Sequence, residues 1–203
     1  MNKELTVGIF GGTFDPIHNG HIKLALTAYR ELCLDKVIII PAYIPPHKTD
    51  KKISAEIHRV NMTKLAVKEY PFFEVSTLEI DRKGKSYTAD TLTTLKEQYE
   101  RLVFILGADS YMALDSWYHP EIIFDKAEIA CAYRDGIDRK VLEEKADEYR
   151  AKYNGISHIL GMPDTDISSS EIRAILLENK DVKGLVPDIV IKYIKDNKLY
   201  EKI

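Results

Sequence analysis

The fold is decided by the stretch Gly11-Gly12-Thr13-Phe14-Asp15-Pro16-Ile17-His18-Asn19-Gly20-His21. An apolar run at 5–9 precedes it and predicts a buried strand, and an amphipathic run at 22–34 follows it and predicts a helix. The two glycines let the backbone come close to a bound group. The two histidines are three residues apart where the helix begins, so they share one face. Since a helix start favours anions, the stretch predicts a phosphate-binding loop between a strand and a helix.

Strand-like and helix-like segments alternate along the rest of the chain. The predicted strands lie at 37–40, 72–80, 102–106, 129–132 and 157–160, with a turn at 81–85. The predicted helices lie at 54–69, 88–99, 110–116, 138–153, 168–179 and 187–197. This alternation predicts an α/β fold with a doubly wound, Rossmann-like parallel sheet and right-handed crossovers. The loops at 11–21, 42–52 and 107–109 each follow a strand, so we expect them to meet at one ligand-binding edge.

Length and composition limit the class of protein. The 203 residues suit a single domain, 1–203, in which 165–203 forms a C-terminal helical subregion. A formal net charge of −3 argues against a general nucleic-acid-binding surface. We find no secretory leader and no apolar run near the ~20 residues of a membrane helix. With only two cysteines, a disulfide framework is excluded, and a cytoplasmic protein is expected.

A second candidate site lies at 167–173, which reads Ile-Ser-Ser-Ser-Glu-Ile-Arg. Serines at a helix start cap the helix and offer hydroxyls and amides to an anion. Arg173 lies one turn further on, where a guanidinium can bind phosphate oxygens in a bidentate way. Taken alone, the segment reads more simply as an ordinary capped helix with an exposed arginine. Its significance comes from the histidine motif near the N-terminus.

Three further features have both a structural and a functional interpretation. Lys48 lies in a proline-stiffened loop, where it is either a solvated surface lysine or a phosphate ligand. Trp117, the only tryptophan, is either a core residue or a platform for a flat ring. Residues 86–88 precede a helix and are either a plain cap or a source of amides for a carboxylate.

Other nucleotide and catalytic motifs are absent from the sequence. The glycines near the first strand do not form the dinucleotide fingerprint, and residue 79 is Glu79, so Gly84-Lys85-Ser86 does not complete a Walker A loop. The sequence has no H-E-x-x-H or similar zinc-binding spacing. The serines at 168–170 do not lie in a G-x-S-x-G nucleophile elbow, so acyl-enzyme chemistry is not indicated.

Together these segments resemble the bacterial nicotinate-nucleotide adenylyltransferase family over nearly the whole chain. The matching pieces are 11–21, 45–48, 86–92, 107–109, Trp117 and 167–173. The first and last are shared with the wider nucleotidyltransferase superfamily, whereas 45–48 and 86–92 discriminate within it. Ser170 stands where the family usually has threonine, which keeps a hydroxyl at that position.

The resemblance implies a nucleotidyltransferase-type fold with C-terminal helices. It implies transfer of the adenylyl group of ATP to nicotinate mononucleotide, which gives deamido-NAD and pyrophosphate in NAD biosynthesis. His18, His21 and Arg173 are then the catalytic residues. The implied ATP site consists of Gly11, Gly12, Thr13, Phe14, His18, His21, Gly107, Asp109, Ile167, Ser168, Ser169 and Arg173. The implied mononucleotide site consists of Thr13, Lys48, Tyr87, Thr88, Trp117, Tyr118 and Arg134.

The resemblance also implies the partners of these groups. Mg²⁺ is expected on the ATP phosphates, without a dedicated metal site in the protein. Trp117 is expected to stack on the pyridine ring, amides near Thr88 and Tyr118 to bind the nicotinate carboxylate, and Lys48 and Arg134 to face the mononucleotide phosphate. We expect no nucleic acid or membrane partner, and the sequence leaves a homodimer open.

Alternative functions are an adenylyltransferase for nicotinamide mononucleotide or phosphopantetheine, and a module that binds ATP without turnover. An aminoacyl-tRNA synthetase shares a related histidine element. The short chain and its net charge of −3 count against that class.

Overall fold

The computed structural model describes residues 5–45, 53–133, 138–161 and 167–201. It contains one six-stranded sheet of order β3-β2-β1-β4-β5-β6, and every strand pair is parallel. The strands are β1 (Thr6–Gly12), β2 (Lys36–Pro41), β3 (Phe73–Val75), β4 (Arg101–Gly107), β5 (Glu128–Tyr133) and β6 (Ser157–Gly161). The predicted doubly wound parallel sheet is therefore confirmed.

Helices connect the strands and close the fold. They are α1 (Asn19–Glu31), α2 (Glu56–Val67), α3 (Leu78–Arg82), α4 (Thr88–Lys96), α5 (Ala108–Met112), α6 (Pro120–Lys126), α7 (Arg139–Tyr153), α8 (Ser169–Leu177) and α9 (Asp188–Asp196). A short 3₁₀ turn spans Leu114–Ser116. None of these helices within the described ranges is long and apolar enough to cross a membrane.

The strands are apolar on both faces because helices cover both sides of the sheet. In β2, Val37 and Ile39 pack into the core on one side, and Ile38 and Ile40 pack into the core on the other. Alternate side chains of a strand point to opposite faces, so a continuous β-branched run fills both cores. The run therefore predicts a central buried strand, as observed.

One predicted element is wrong. The alternating pattern at 72–80 predicts a single strand, but β3 ends at Val75 and a helix begins at Leu78. Ser76 stands where the direction changes. Its N–H completes the pairing with β2 by donating to Ile39 O at 3.0 Å, and its hydroxyl accepts from Leu78 N at 3.2 Å at the start of α3. The polar residue Glu79 is then turned inward, where its carboxylate accepts a hydrogen bond from the Thr91 hydroxyl.

Other differences concern where elements begin and end. The predicted helix at 110–116 is in fact α5 followed by the 3₁₀ turn, and α6 was not predicted although a proline stands at its start. The strand predicted at 5–9 continues to Gly12, and the helix predicted from 22 begins at Asn19. Sequence did not predict these ends because they contain glycines and histidines, which have low strand and helix propensities.

An ion-pair cluster joins the amino-terminal ends of three strands, at the edge opposite the loops discussed below. Arg101 Nε and Nη2 donate to the two oxygens of Glu128 at 2.7 and 3.0 Å, and His158 Nε2 lies 2.6 Å from the same carboxylate. The hydrogen bonds from Arg101 first, and from His158 second, lower the pKa of Glu128 despite partial burial. The charged form of Glu128 therefore stabilises the folded state.

Glu128→Gln should lower the free energy of unfolding by about 1 kcal/mol at pH 7, a value that allows for solvent screening. Because the folded pKa lies below the unfolded value of about 4.3, this contribution is complete above that pH and disappears as the pH falls through the folded pKa. Urea unfolding of both proteins at pH 7 and pH 3 measures it. Glu144→Gln, which removes an exposed pair on α7, is the control and should change little at either pH. A Glu128→Gln deficit that persists at pH 3 would contradict the ion-pair explanation.

Candidate active site

A cleft of about 520 Å³ opens at the carboxyl ends of the strands. It lies over β1 and β4, the neighbouring strands from which the chain winds in opposite directions. In a doubly wound sheet this switch point is where ligands bind. The lining consists of Phe10, Gly11, Gly12, Thr13, His18, Gly20, His21, Leu24, Ala42, Pro45, Glu79, Ser86, Tyr87, Thr88, Phe104, Leu106, Gly107, Asp109, Ser110, Trp117, Tyr118, Ala132, Ile167, Ser168, Ser169 and Ser170.

The cleft brings most of the predicted site residues together. Those from the implied ATP site are Gly11, Gly12, Thr13, His18, His21, Gly107, Asp109, Ile167, Ser168 and Ser169, and those from the implied mononucleotide site are Thr13, Tyr87, Thr88, Trp117 and Tyr118. Phe14 and Arg173 do not line it. Lys48 and Arg134 lie outside the described residues.

The two histidines form a reciprocal cap at the start of α1. His18 Nδ1 accepts from His21 N at 3.4 Å, and His21 Nδ1 accepts from His18 N at 3.3 Å. Their rings stack with centroids 3.6 Å apart. Because each Nδ1 is an acceptor, a neutral ring carries its proton on Nε2. The cap therefore fixes the tautomer and presents two Nε2–H donors at a helix start.

Gly12 and Phe14 shape the loop from behind. A Cβ on Gly12 would lie 2.7 Å from the Phe14 ring, so a larger residue cannot stand there without moving that ring. Phe14 is only 1% exposed and contacts the His21 ring edge-on at 5.1 Å. The Phe14 ring thus supports His21 and Gly12 from the core, and contact of Phe14 with ATP stays a prediction.

The start of α8 is joined to the first loop. Ser169 Oγ donates to Pro16 O at 3.0 Å, and Arg173 Nη1 donates to Asp15 O at 2.6 Å. Asn19 Nδ2 also donates to Gly184 O at 2.8 Å, beyond the end of α8. Two segments more than 150 residues apart in sequence thus form one wall of the cleft.

The hydroxyls of Ser168 and Ser169, at the start of α8, form hydrogen bonds within the protein. Ser168 forms a capping box with Glu171: the Ser168 hydroxyl accepts from Glu171 N at 3.2 Å, and Glu171 Oε2 accepts from Ser168 N at 3.0 Å. The same hydroxyl also donates to Glu171 Oε2 at 2.7 Å. Ser169 Oγ donates to the first loop, as described above. The amides of the first helical turn, which have no acceptor within a helix, are the better donors for an anion here.

Arg173 lies one turn behind the lining serines. Nη1 is held by Asp15 O, and Nη2 donates to Ser170 Oγ at 3.2 Å. The guanidinium is thus fixed between the first loop and the start of α8, and its contact with ATP stays a prediction. The sequence predicted that Arg173 lies on this helix but not that it donates to the carbonyl of Asp15.

Aromatic residues form the opposite side of the cleft. Tyr87 and Tyr118 stack with centroids 4.1 Å apart at the opening, and Tyr118 is 47% exposed. Trp117 is half-buried, lines the cleft and meets Phe104 edge-on at 6.2 Å. Trp117 is therefore neither a fully buried core residue nor a surface residue, and its ring borders the open volume.

A buried polar group that sequence reasoning missed lies beneath this side. Glu79 lines the cleft and is 6% exposed, and burial raises the pKa of its carboxyl group. Thr91 donates to it at 2.7 Å, and Ser86 also bonds to it while accepting from Tyr43 N at 2.8 Å. Ser86 thus joins the loop at 43–45 to the loop at 86–88, and Glu79 bonds to Ser86 from beneath.

A second missed residue lies beneath the first loop. Arg59 is 2% exposed, and each of its three guanidinium nitrogens donates to backbone carbonyls. Nη1 donates to Thr13 O and Ala42 O at 2.9 and 2.6 Å, and Nε donates to Ser54 O at 3.0 Å. Nη2 donates to Tyr43 O at 3.3 Å. Arg59 therefore holds the first loop to the segment that follows β2.

In the described part of the cleft, the groups that attract an anion are helix starts and imidazoles. The described lining includes no lysine or arginine. The described residues also contain no group of three or more His, Cys, Asp or Glu side chains that could hold a metal ion. This arrangement suits a polyphosphate held by amide and imidazole N–H groups, with any divalent cation carried by the phosphates.

Comparison with known proteins agrees with the fold and with the sequence motifs. The cytidylyltransferase-like family matches residues 9–175. A probable nicotinate-nucleotide adenylyltransferase from Thermoanaerobacter sp. (strain X514) is 40% identical over 205 residues, covering 100% of this chain and 97% of that protein. One with the same description from Clostridium perfringens (strain 13 / Type A) is 40% identical over 198 residues, covering 97% and 98%.

Solved structures share the fold at lower identity. A nicotinic acid mononucleotide adenylyltransferase from Plasmodium falciparum, in complex with NaAD, superposes with a TM-score of 0.77. It is 22% identical, and the match covers 97% of this chain and 98% of that one. This similarity bears on the fold, while the sequence relatives bear on the family.

Proposed function

The chain belongs to the cytidylyltransferase-like family and, within it, to the nicotinate-nucleotide adenylyltransferases, and from this premise we propose that the cleft joins ATP to nicotinate mononucleotide. The products are deamido-NAD and pyrophosphate, as in NAD biosynthesis. The observation that carries the proposal is the joining of the α8 start to the first loop through Ser169 and Arg173. That contact places the two candidate phosphate-binding elements, the histidine-bearing first loop and the start of α8, in the same cleft.

The reaction needs no covalent intermediate. A phosphate oxygen of the mononucleotide forms a bond to the α-phosphorus of ATP as the bond from that phosphorus to the bridging oxygen breaks, and pyrophosphate leaves with that electron pair. The protein positions the two phosphates and stabilises the developing charge.

Each side of the cleft has a role in this proposal. His18 and His21 donate from Nε2 to the α-phosphate and the departing pyrophosphate. The first amides of α8, with Arg173 behind them, hold the β- and γ-phosphates. Gly107 and Asp109, at the end of β4, lie beside the ribose.

The mononucleotide occupies the aromatic side in the same proposal. Trp117 stacks on the pyridine ring, and amides near Thr88 and Tyr118 bind its carboxylate. Lys48 and Arg134 remain proposals from sequence for the mononucleotide phosphate, since they lie outside the described residues. Mg²⁺, bound through the ATP phosphates, would screen their charge without a carboxylate cage.

Domain organisation, location and assembly are also proposals. A single domain at 1–203 is supported by one sheet with α8 and the segment after it fastened to the first loop and α1. A cytoplasmic location is supported by the free thiols of Cys33, which is exposed, and Cys131. A homodimer stays a prediction from sequence.

The test is a panel of acceptors with ATP and Mg²⁺, read as pyrophosphate release and as the dinucleotide product. We expect the highest kcat/KM with nicotinate mononucleotide, and lower values with nicotinamide mononucleotide and phosphopantetheine. A preference for either of the latter would support the corresponding alternative. ATP binding by calorimetry with no pyrophosphate from any acceptor would instead indicate a binding module.

Trp117→Ala should raise the KM for nicotinate mononucleotide about tenfold, because aromatic stacking on a base contributes roughly 1–3 kcal/mol. The KM for ATP should change less than about twofold, since Trp117 lies on the other side of the cleft from α8. Steady-state kinetics with each substrate varied in turn measures the difference. Trp117→Phe keeps an aromatic face and should recover most of the loss. Equal increases in both KM values would show that Trp117 only supports the packing.

A further inference from the structure

The polypeptide after α8 returns to the first loop, at residues 11–21, which contains His18 and His21. We call residues 188–201, which comprise α9 and the turn after it, the C-terminal segment. The Tyr200 hydroxyl at its end donates to Asp15 Oδ1 at 2.6 Å and so joins two residues that are 185 positions apart in sequence. Asp15 stands in the loop between β1 and His18.

Asp15 connects this hydroxyl to the phosphate-handling residues. Its side chain is buried, and its second carboxylate oxygen accepts from Ser54 N at 3.2 Å. Its backbone carbonyl accepts from Arg173 Nη1 at 2.6 Å. The side-chain bonds of Asp15 to Tyr200 and Ser54 hold its backbone, and its backbone carbonyl in turn holds the Arg173 guanidinium.

The hydroxyl of Tyr200 keeps the proton that it donates to Asp15. Burial, followed by the neighbouring Asp15 carboxylate, raises the pKa of Tyr200, so the hydroxyl stays protonated at physiological pH. Without it, Asp15 Oδ1 would be a buried carboxylate oxygen that has lost its hydrogen bond, and the side chain would be drawn to a new position.

The same segment contains a matched second hydroxyl. Tyr193, in α9, accepts from Asn61 Nδ2 at 3.0 Å and lies 3.0 Å from His58 Nδ1, both of α2. Tyr193 does not line the cleft, and its hydroxyl bonds none of the cleft residues named above. The segment therefore has one tyrosine that docks it on a helix and one that acts on the first loop.

We propose that Tyr200 is a positioning residue for adenylyl transfer, because its bond to Asp15 holds the first loop and Arg173 in the geometry that receives the triphosphate. The proposal rests on the function proposed above. The C-terminal segment then has a part in catalysis, although it is far from the histidine motif in sequence.

The experiment compares Tyr200→Phe with Tyr193→Phe in the full chain. Each variant removes one bonded hydroxyl from the same segment, so both should lower the urea midpoint by similar amounts. For Tyr200→Phe we expect kcat to fall about tenfold and the KM and calorimetric Kd for ATP to rise about fivefold, with the KM for nicotinate mononucleotide within about twofold. Tyr193→Phe should leave all four values within about twofold of the wild-type protein.

A double-mutant cycle tests the route through Arg173. In an Arg173→Ala background, Tyr200→Phe should have no further effect on the Kd for ATP, because the group that it positions is gone. An undiminished effect in that background, or single-variant kinetics indistinguishable from Tyr193→Phe, would overturn the proposal. If Tyr200→Phe does not fold at the assay temperature, Asp15→Asn weakens the same bond and is judged by the same criteria.

Failure of the proposed function gives a different result. A wild-type protein that binds ATP but makes no dinucleotide would contradict adenylyl transfer itself. The Kd values for ATP of the two tyrosine variants would still differ if Tyr200 positions Arg173, and would agree if it does not.

Discussion

His21→Ala is expected to lower kcat for adenylyl transfer by about 10²–10³, the loss that follows removal of one preorganised donor to developing charge. His21 lies at the start of α1, and its ring is oriented by three contacts: it stacks on the His18 ring, meets Phe14 edge-on, and accepts from the His18 amide. Little reorganisation is then needed when charge builds up on the α-phosphate. Single-turnover rates with saturating ATP and nicotinate mononucleotide measure the chemical step directly.

A second variant separates the chemical role from the cap. His21→Asn retains a side-chain acceptor near the His18 amide but has no Nε2 donor, so it should keep the stability of the wild-type protein and still lose most of the rate. His158→Ala, at the opposite edge of the sheet, controls for loss of an imidazole. Less than a fivefold loss in His21→Ala, or full activity in His21→Asn, would remove His21 from the chemistry.

Arg59→Met is expected to lower the free energy of unfolding by about 3–5 kcal/mol, the scale for breaking a buried network by removing one partner. The variant leaves the carbonyls of Thr13, Ala42, Tyr43 and Ser54 without their donor. Each buried carbonyl that water cannot reach costs about 1–3 kcal/mol. For a protein of this size the loss is a large part of the total stability, and the thermal midpoint should fall by about 10 °C.

The matched control is Arg150→Met, on the exposed face of α7, where the guanidinium lies 3.7 Å from the Asp147 carboxylate. Its free energy of unfolding should change by no more than about 0.5 kcal/mol. Calorimetric and urea unfolding of both variants measure the difference. If Arg59→Met were as stable as Arg150→Met, the guanidinium would not hold the two loops together. Arg59→Lys should recover little, because one ammonium cannot reach four divergent carbonyls.

The core of the fold could be predicted from sequence because its signals are local. The run Val37–Ile40 is apolar at every position, and only a strand covered on both faces uses such a pattern. The strand predicted at 72–80 failed for the opposite reason. Its alternation continues past Val75, but β3 pairs with β2 only over Phe73–Val75, and the extent of that pairing depends on a strand that is distant in sequence.

The candidate site divides in the same way. The spacing of His18 and His21 is a property of one helix start, so sequence placed both in a phosphate site. Phe14 and Arg173 belong to the motifs that sequence identified, yet the structure turns Phe14 into the core and holds Arg173 behind the cleft wall. Motif membership gives the segment that forms a site but not the direction of each side chain.

By itself, the sequence determined the parallel α/β sheet, the loop at its carboxyl edge, the imidazole pair and the family, since these depend on residues that are close along the chain. Only the tertiary structure decided that Arg59 joins two loops, that Glu79 lies beneath the cleft and that Tyr200 bonds Asp15. The physical reason is the hydrogen bond itself. Its strength depends on a distance near 3 Å and on direction, and neither is set until residues far apart in sequence have been packed together.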